Sequence, residues 1–234
     1  MKLPKYTLIA LLCGAFLVGQ TSCGSITNTG KGALIGGGSG AAAGAGIGAL
    51  IGGGKGAGIG AAIGAAVGAG AGTLIGNRMD KQQKELQQQL AEQAKVEETT
   101  DANGLRAIKI TFDGGILFAT GKSDLSPQAQ ADLTRFAQSL NANPNTDVSI
   151  YGFTDNTGSF AANERVANSR AAAVMSFLVN KGVSPTRLHA EGIPMADYVA
   201  SNDTPEGRAL NRRVEIYITA DQEMIRQAEA GTLQ

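Results

Sequence analysis

The stretch that decides the fold is Asp147-Val148-Ser149-Ile150-Tyr151-Gly152-Phe153, followed at once by Thr154-Asp155-Asn156-Thr157-Gly158. Its first seven residues read as a strand, and the Asp, Asn and Gly behind them are turn formers that stop it. A long helix follows, with Val166, Val174, Phe177 and Leu178 as its buried positions and Gly182 as its C-terminal stop. A strand feeding a helix through a short polar loop is the start of a β-α-β unit. Before it, Ile108, Ile110 and Phe112 alternate with Lys109 and Thr111, the pattern of a half-buried strand. Ser126-Pro127 then opens a helix as cap and first-turn proline; Leu133, Phe136, Ala137 and Leu140 give it one apolar face, and Asn143-Pro144 ends it. On the C-terminal side, Arg187 to Gly192 reads as a third strand. Val214, Ile216 and Ile218, alternating with Glu215, Tyr217 and Thr219, make the last one. The order β-α-β-α-β-β predicts an α/β (α+β) domain over residues 105–220, a mixed sheet with helices packed on it, and a tail over 221–234.

Ahead of this domain the chain changes character. Residues 77–104 are rich in Gln, Lys and Glu, with Met79, Leu86 and Leu90 at helical spacing, and predict a polar helical linker ending in a turn over Thr99 to Gly104. The apolar stripe is too short for a coiled coil. Residues 32–76 carry glycine at every fourth position, from Gly32 to Gly76. Ser39 and Thr73 are too little polar material for a flexible linker. In water, each interior glycine costs a helix about 1 kcal/mol relative to alanine. Lipid reverses that balance, because unpaired backbone groups are prohibitively expensive there, and small residues four apart let helices approach closely. A four-residue step drifts by roughly 40° on a straight helix, so one continuous helix would lose its seam. Gly52-Gly53-Gly54-Lys55 offers a break, and a helical hairpin of two spans of roughly 20 residues is the expected form. The segment resembles the glycine-zipper modules of bacterial envelope lipoproteins. Insertion, homo-oligomerisation and pore formation are all open to it.

Residues 1–22 read as an export signal, with Lys2 and Lys5 in a basic head and Tyr6 to Val18 as the apolar core. Gln20-Thr21-Ser22-Cys23 resembles a lipoprotein cleavage site, where Cys23 takes the lipid and becomes the first residue of a tether over 23–31. Gln20 departs from the usual pattern. Cleavage there leaves no other cysteine in the mature chain, so no internal disulfide can form. Acyl chains at about 0.8 kcal/mol per buried methylene would hold the protein to outer-membrane lipid. An ordinary cleaved signal with an incidental cysteine is the competing reading.

Composition narrows the functional classes. Lys plus Arg (20) equals Asp plus Glu (20), so no positive field draws the chain to nucleic acid. The one histidine, His189, falls in a predicted strand, and the inventory brings together no nucleophile, metal set or cofactor motif. A non-catalytic role is expected. A glycosidase acting through two carboxylates is the enzyme alternative, with no pair close in sequence to support it.

Four separated motifs then carry a family resemblance: Gly152-Phe153-Thr154-Asp155-Asn156-Thr157-Gly158, Asn163, Ser169-Arg170-Ala171, and Gly207-Arg208-Ala209-Leu210-Asn211-Arg212-Arg213-Val214-Glu215. In that order they resemble the OmpA-like peptidoglycan-binding domain, and the whole chain resembles glycine-zipper lipoproteins ending in such a domain. The resemblance implies that Asp155 and Arg170 hold diaminopimelate, the cross-linking residue of the stem peptide. Thr157, Asn163 and Arg212 match further ligand-contacting positions. The chemistry is coherent, since an ammonium and a carboxylate need opposite partners, and an arginine grips a carboxylate through two parallel hydrogen bonds. Taken singly, Asp155 reads as a turn or capping residue, and Arg170 and Arg212 as solvated charges. Departures from the family pattern are Val166-Ala167 ahead of the arginine, Pro194 and Tyr198 after the third strand, and Gly121 in a loop that elsewhere holds a polar contact. The resemblance implies non-covalent peptidoglycan binding that ties outer membrane to cell wall, with the domain in the periplasm. A glycine-zipper oligomer or pore that uses the domain only as an anchor is the alternative.

Overall fold

The computed structural model describes Val67 and residues 69–233, apart from Ala91, Ala102, Ala119 and Thr120. The export signal, Cys23 and most of the glycine segment, including the proposed hairpin turn, lie outside the described residues. Among the described residues five strands form one sheet: β1 (Ala94–Thr100), β2 (Arg106–Asp113), β3 (Thr146–Phe153), β4 (Leu188–Ile193) and β5 (Arg213–Ala220). Helices α1 (Ala69–Leu90), α2 (Gly114–Leu117), α3 (Pro127–Ala142), α4 (Phe160–Asn180), α5 (Pro205–Asn211) and α6 (Gln222–Glu229) complete it. The predicted β-α-β-α-β-β order holds from β2 to β5, with the short α2 and α5 added.

The strands lie in the order β1-β2-β5-β3-β4. Only β3 and β4 are parallel, joined by the α4 crossover; every other pair is antiparallel. The last strand thus sits in the centre of the sheet. Its alternate residues Val214, Ile216 and Ile218 face Phe112, Ile110 and Ile108 on one side and Gly152, Ile150 and Val148 on the other. Most of these side chains are fully buried, and with Leu133, Phe136, Leu140, Val174 and Leu178 they form one core beneath the helices. The opposite face holds a smaller cluster of Tyr151, Phe153, Ile193 and Tyr217.

The caps formed as their residue types dictate. Ser126 accepts from the Ala129 amide at 3.0 Å ahead of Pro127. Helix α4 stops where Gly182 takes φ +89°, a conformation that side chains resist. Its buried stripe differs from expectation. Val166 and Phe177 are half-buried, and the buried positions are Asn163, Ala167, Arg170, Ala171, Val174 and Leu178. Two polar residues therefore occupy the face that an apolar pattern would assign to the core.

The structure moves both edges of the domain. Residues 77–104 are not a linker: α1 begins at Ala69, inside the glycine segment, and lays Ile75, Met79, Leu86 and Leu90 at zero exposure into the core. The stripe looked thin because its first members, Ala71 and Ile75, belong to the glycine repeat. Residues 94–100, expected to be helix end and turn, pair as an edge strand with β2, Ala94 opposite Phe112 through Thr100 opposite Arg106. Asp101 accepts from the Asn103 and Leu105 amides, both at 2.8 Å, and so closes the hairpin between them. The tail over 221–234 likewise contains α6, capped by Asp221, with Met224, Ile225 and Ala228 in the core. Among the described residues no helix is long and apolar enough to cross a membrane.

A spacer helix and a core helix respond differently to truncation. Leu86→Ala is expected to lower the unfolding free energy of the full chain by about 2–5 kcal/mol in urea titrations, the cost of an emptied core site. A change within about 0.5 kcal/mol, as on an exposed helix, would return α1 to the role of spacer.

Candidate functional site

Antiparallel pairing of β3 and β5 sets the end of β3 beside the start of β5, Gly152 opposite Val214. The loop after β3 and the residue before β5 thereby meet. Asp155, 6% exposed, accepts from the Thr157 amide through Oδ1 at 2.8 Å and from Nη1 of Arg212 through Oδ2 at 2.6 Å. The first bond is the Asx turn expected of an aspartate in this position. The second is an ion pair between residues 57 positions apart. Gly158, at φ +91°, turns the chain into α4, and Ser159 caps the helix by accepting from the Ala162 amide. Asn163 ties the loop back onto the helix, donating through Nδ2 to the carbonyls of Thr157 (2.8 Å) and Ser159 (3.1 Å). Thr157 itself stays exposed.

Arg170 follows Asn163 by two turns on the same face and is 4% exposed. It reaches that depth because α4 sits unusually close to the sheet. A Cβ on Gly152 would lie 2.4 Å from the Ala167 carbonyl oxygen, and one on Gly192 would lie 2.4 Å from the Asn168 nitrogen. These two glycines are register partners in β3 and β4 and form a flat seat for the helix backbone. The Arg170 guanidinium donates through Nε to the Lys122 carbonyl at 3.2 Å and lies 5.2 Å from the centre of the Phe118 ring. It makes no further hydrogen bond to a described residue. The Phe118–Leu125 bridge closes the loop that carries Lys122.

Burial by itself would raise the Asp155 carboxyl, but hydrogen bonds from Thr157 and Arg212 and the charge of Arg212 outweigh it and hold the group below its ordinary value. Burial lowers Arg170, the like charge of Arg212 adds to that, and Asp155 opposes both. An arginine remains protonated under such shifts. Two guanidinium groups and one carboxylate therefore share the site, leaving one positive charge in excess.

The resemblance implies that Asp155 and Arg170 hold the two charged groups of one ligand. In the structure the direct partner of Asp155 is Arg212, and Arg170 is coupled to both by charge alone. Asp155, Thr157, Asn163 and Arg212 are joined by contacts, and Arg170 flanks them; Cys23 lies outside the described residues. Phe118 and Lys122, which hold Arg170, carry no sequence signal, because a carbonyl and a ring face leave no motif. Gly121, which that reading did single out, takes φ +68° one residue before Lys122.

The fold and these residues are similar to those of the OmpA family. Residues 117–212 match the OmpA family, and residues 1–80 match the YMGG-like Gly-zipper family. Outer membrane protein A of Bordetella avium is 40% identical over 112 residues, 48% of this chain and 58% of that protein. Peptidoglycan-binding protein ArfA of Mycobacterium bovis is 41% identical over 112 residues, 48% of this chain and 34% of that protein. The matched stretch thus spans little more than half of the first relative and about a third of the second. Among solved structures, the cell wall anchor of the type VI secretion system of Pseudomonas aeruginosa superposes with a TM-score of 0.51 at 29% identity. The match covers 58% of this chain and 97% of that one.

Proposed function

We propose that the domain binds peptidoglycan non-covalently through the diaminopimelate of the stem peptide, and that the chain ties the outer membrane to the cell wall from the periplasmic side. The observation that carries this reading is a buried guanidinium, Arg170, set beside the Asp155–Arg212 ion pair. The free end of diaminopimelate offers an ammonium and a carboxylate on one carbon. Asp155 has lone pairs left for the ammonium after its two bonds, and the excess positive charge of the arginines suits the carboxylate. The OmpA match, the relative whose name states peptidoglycan binding and the cell wall anchor of like fold support the ligand class. The tether follows from the export signal, a lipid on Cys23 and the Gly-zipper segment.

The reading is of a grip and not of a catalyst. Among the described residues of the site, none pairs a nucleophile with a base. Purified peptidoglycan sacculi should co-sediment with the full chain and release no soluble muropeptides. Asp155→Ala should retain less than about a tenth of that binding, since it removes the ammonium acceptor and leaves Arg212 without its partner. Undiminished co-sedimentation by the variant would remove Asp155 from the site, and muropeptide release would make the protein an enzyme.

A further inference from the structure

The Asp155–Arg212 ion pair is bracketed by one segment. After β4 the chain runs from Pro194 to Thr204, and the immediate neighbours of both paired residues hold it. On the Asp155 side, the Thr154 hydroxyl accepts from the Met195 amide at 3.0 Å, and the Asn156 amide donates to Oδ1 of Asn202 at 3.3 Å. On the Arg212 side, Arg213 donates to the Asp197 carbonyl at 2.9 Å. Asn211, with zero exposure, accepts from the Val199 and Ala200 amides at 2.9 and 3.0 Å through Oδ1. Its Nδ2 donates to the Ala200 carbonyl at 2.9 Å and to Oδ1 of Asn202 at 3.0 Å. Its amide is fully satisfied by this one strap.

The strap is held under strain. Met195 and Asp197 take φ of +52° and +50°, a region that non-glycine residues adopt at a cost and keep only when their surroundings force them. Helix α5 presses on it as well: a Cβ on Gly207 would lie 2.0 Å from the Ser201 carbonyl oxygen, and Arg208 donates to the Asn202 carbonyl at 2.7 Å. Asn202 is the point where both sides meet, since its Oδ1 receives the backbone next to Asp155 and the side chain next to Arg212.

We infer that the 194–204 strap is a positioning device and that Asn202 sets the Asp155 loop against Arg212, so that the ion pair is preformed for its ligand. This rests on the proposed reading of the site. Asn202 and Asn211 are positioning residues and act through the pair. Both bonds to the Asn202 side chain use Oδ1 as acceptor, so an aspartate can replace it and an alanine cannot.

The test uses the full chain, its Asn202→Ala and Asn202→Asp variants, and Asp155→Ala as reference. Affinity for free diaminopimelate is measured by calorimetry, and the Asp155 carboxyl is titrated by carbon-13 NMR. Asn202→Ala should bind about five- to tenfold more weakly, and Asn202→Asp within about twofold of the wild type. In Asn202→Ala the Asp155 carboxyl should titrate at higher pH than in the wild type, because the Arg212 bond that helps to hold it down is loosened. Asn202→Ala binding within about twofold of the wild type, with an unchanged Asp155 titration, overturns the strap. A wild type that binds no diaminopimelate overturns the proposed function instead, and the Asp155 titration still decides the strap.

Discussion

Arg170→Lys is expected to weaken diaminopimelate binding about 10- to 100-fold while leaving the domain folded. Lysine keeps the charge but presents a compact ammonium in place of a planar fork, so it cannot make two parallel bonds to a carboxylate. It also loses the geometry of two contacts that fix the guanidinium, the Nε bond to the Lys122 carbonyl and the cation–π contact with Phe118. The expected loss corresponds to roughly 1.4–2.8 kcal/mol of binding free energy. Burial adds to the cost, because an ammonium at 4% exposure without that carbonyl bond is poorly compensated. Calorimetry with free diaminopimelate and co-sedimentation with sacculi should report the same loss. Equal affinity in both proteins would mean that Arg170 supplies charge only, or lies outside the grip.

Gly192→Ala should lower the melting temperature of the full chain by about 6–12 °C and weaken binding as well. The added Cβ would stand 2.4 Å from the Asn168 nitrogen and 2.7 Å from the Ala167 carbonyl carbon, both helix backbone that no rotamer change can move. Helix α4 must lift by something like 1 Å. Overpacking of this kind costs about 3 kcal/mol, and a domain of this size loses roughly 2–4 °C per kcal/mol. The Asn168 side chain would lose its place too, since its Oδ1 accepts from the Gly192 amide at 2.9 Å. The lifted helix carries Asn163 and Arg170, so the grip loosens with the fold. Differential scanning calorimetry checks the first effect and a binding titration the second. A melting point within about 2 °C of the wild type would show that the seat tolerates a methyl group.

The two variants separate what was legible in the chain from what was not. Arg170 is marked as a candidate because its motif stands in order with three others. The role of Gly192 was invisible, because a glycine that ends a strand has the same local signature as one that faces a helix backbone. The α4 stripe was misread for a related reason. Hydrophobic periodicity places apolar residues inward, and here the polar Asn163 and Arg170 point inward instead. At the N-terminal edge, Ile75 hid within a glycine repeat, and the charged strand Ala94–Thr100 looked like linker because an edge strand carries Lys and Glu to discourage further pairing.

What the sequence by itself determined is local: strands from alternation, the α3 cap from Ser126-Pro127, the end of α4 at Gly182, and the motif residues Asp155, Thr157, Asn163, Arg170 and Arg212. Each is set by groups within a few positions of one another. Only the tertiary structure decided that the last strand enters the centre of the sheet, and hence that Arg212 takes Asp155 as its partner. Pairing between distant strands depends on which faces and edges remain unfilled once the other elements have packed, and no local pattern records that. The same packing drew α1 and α6 into the core and placed Asn202 where both halves of the ion pair are held.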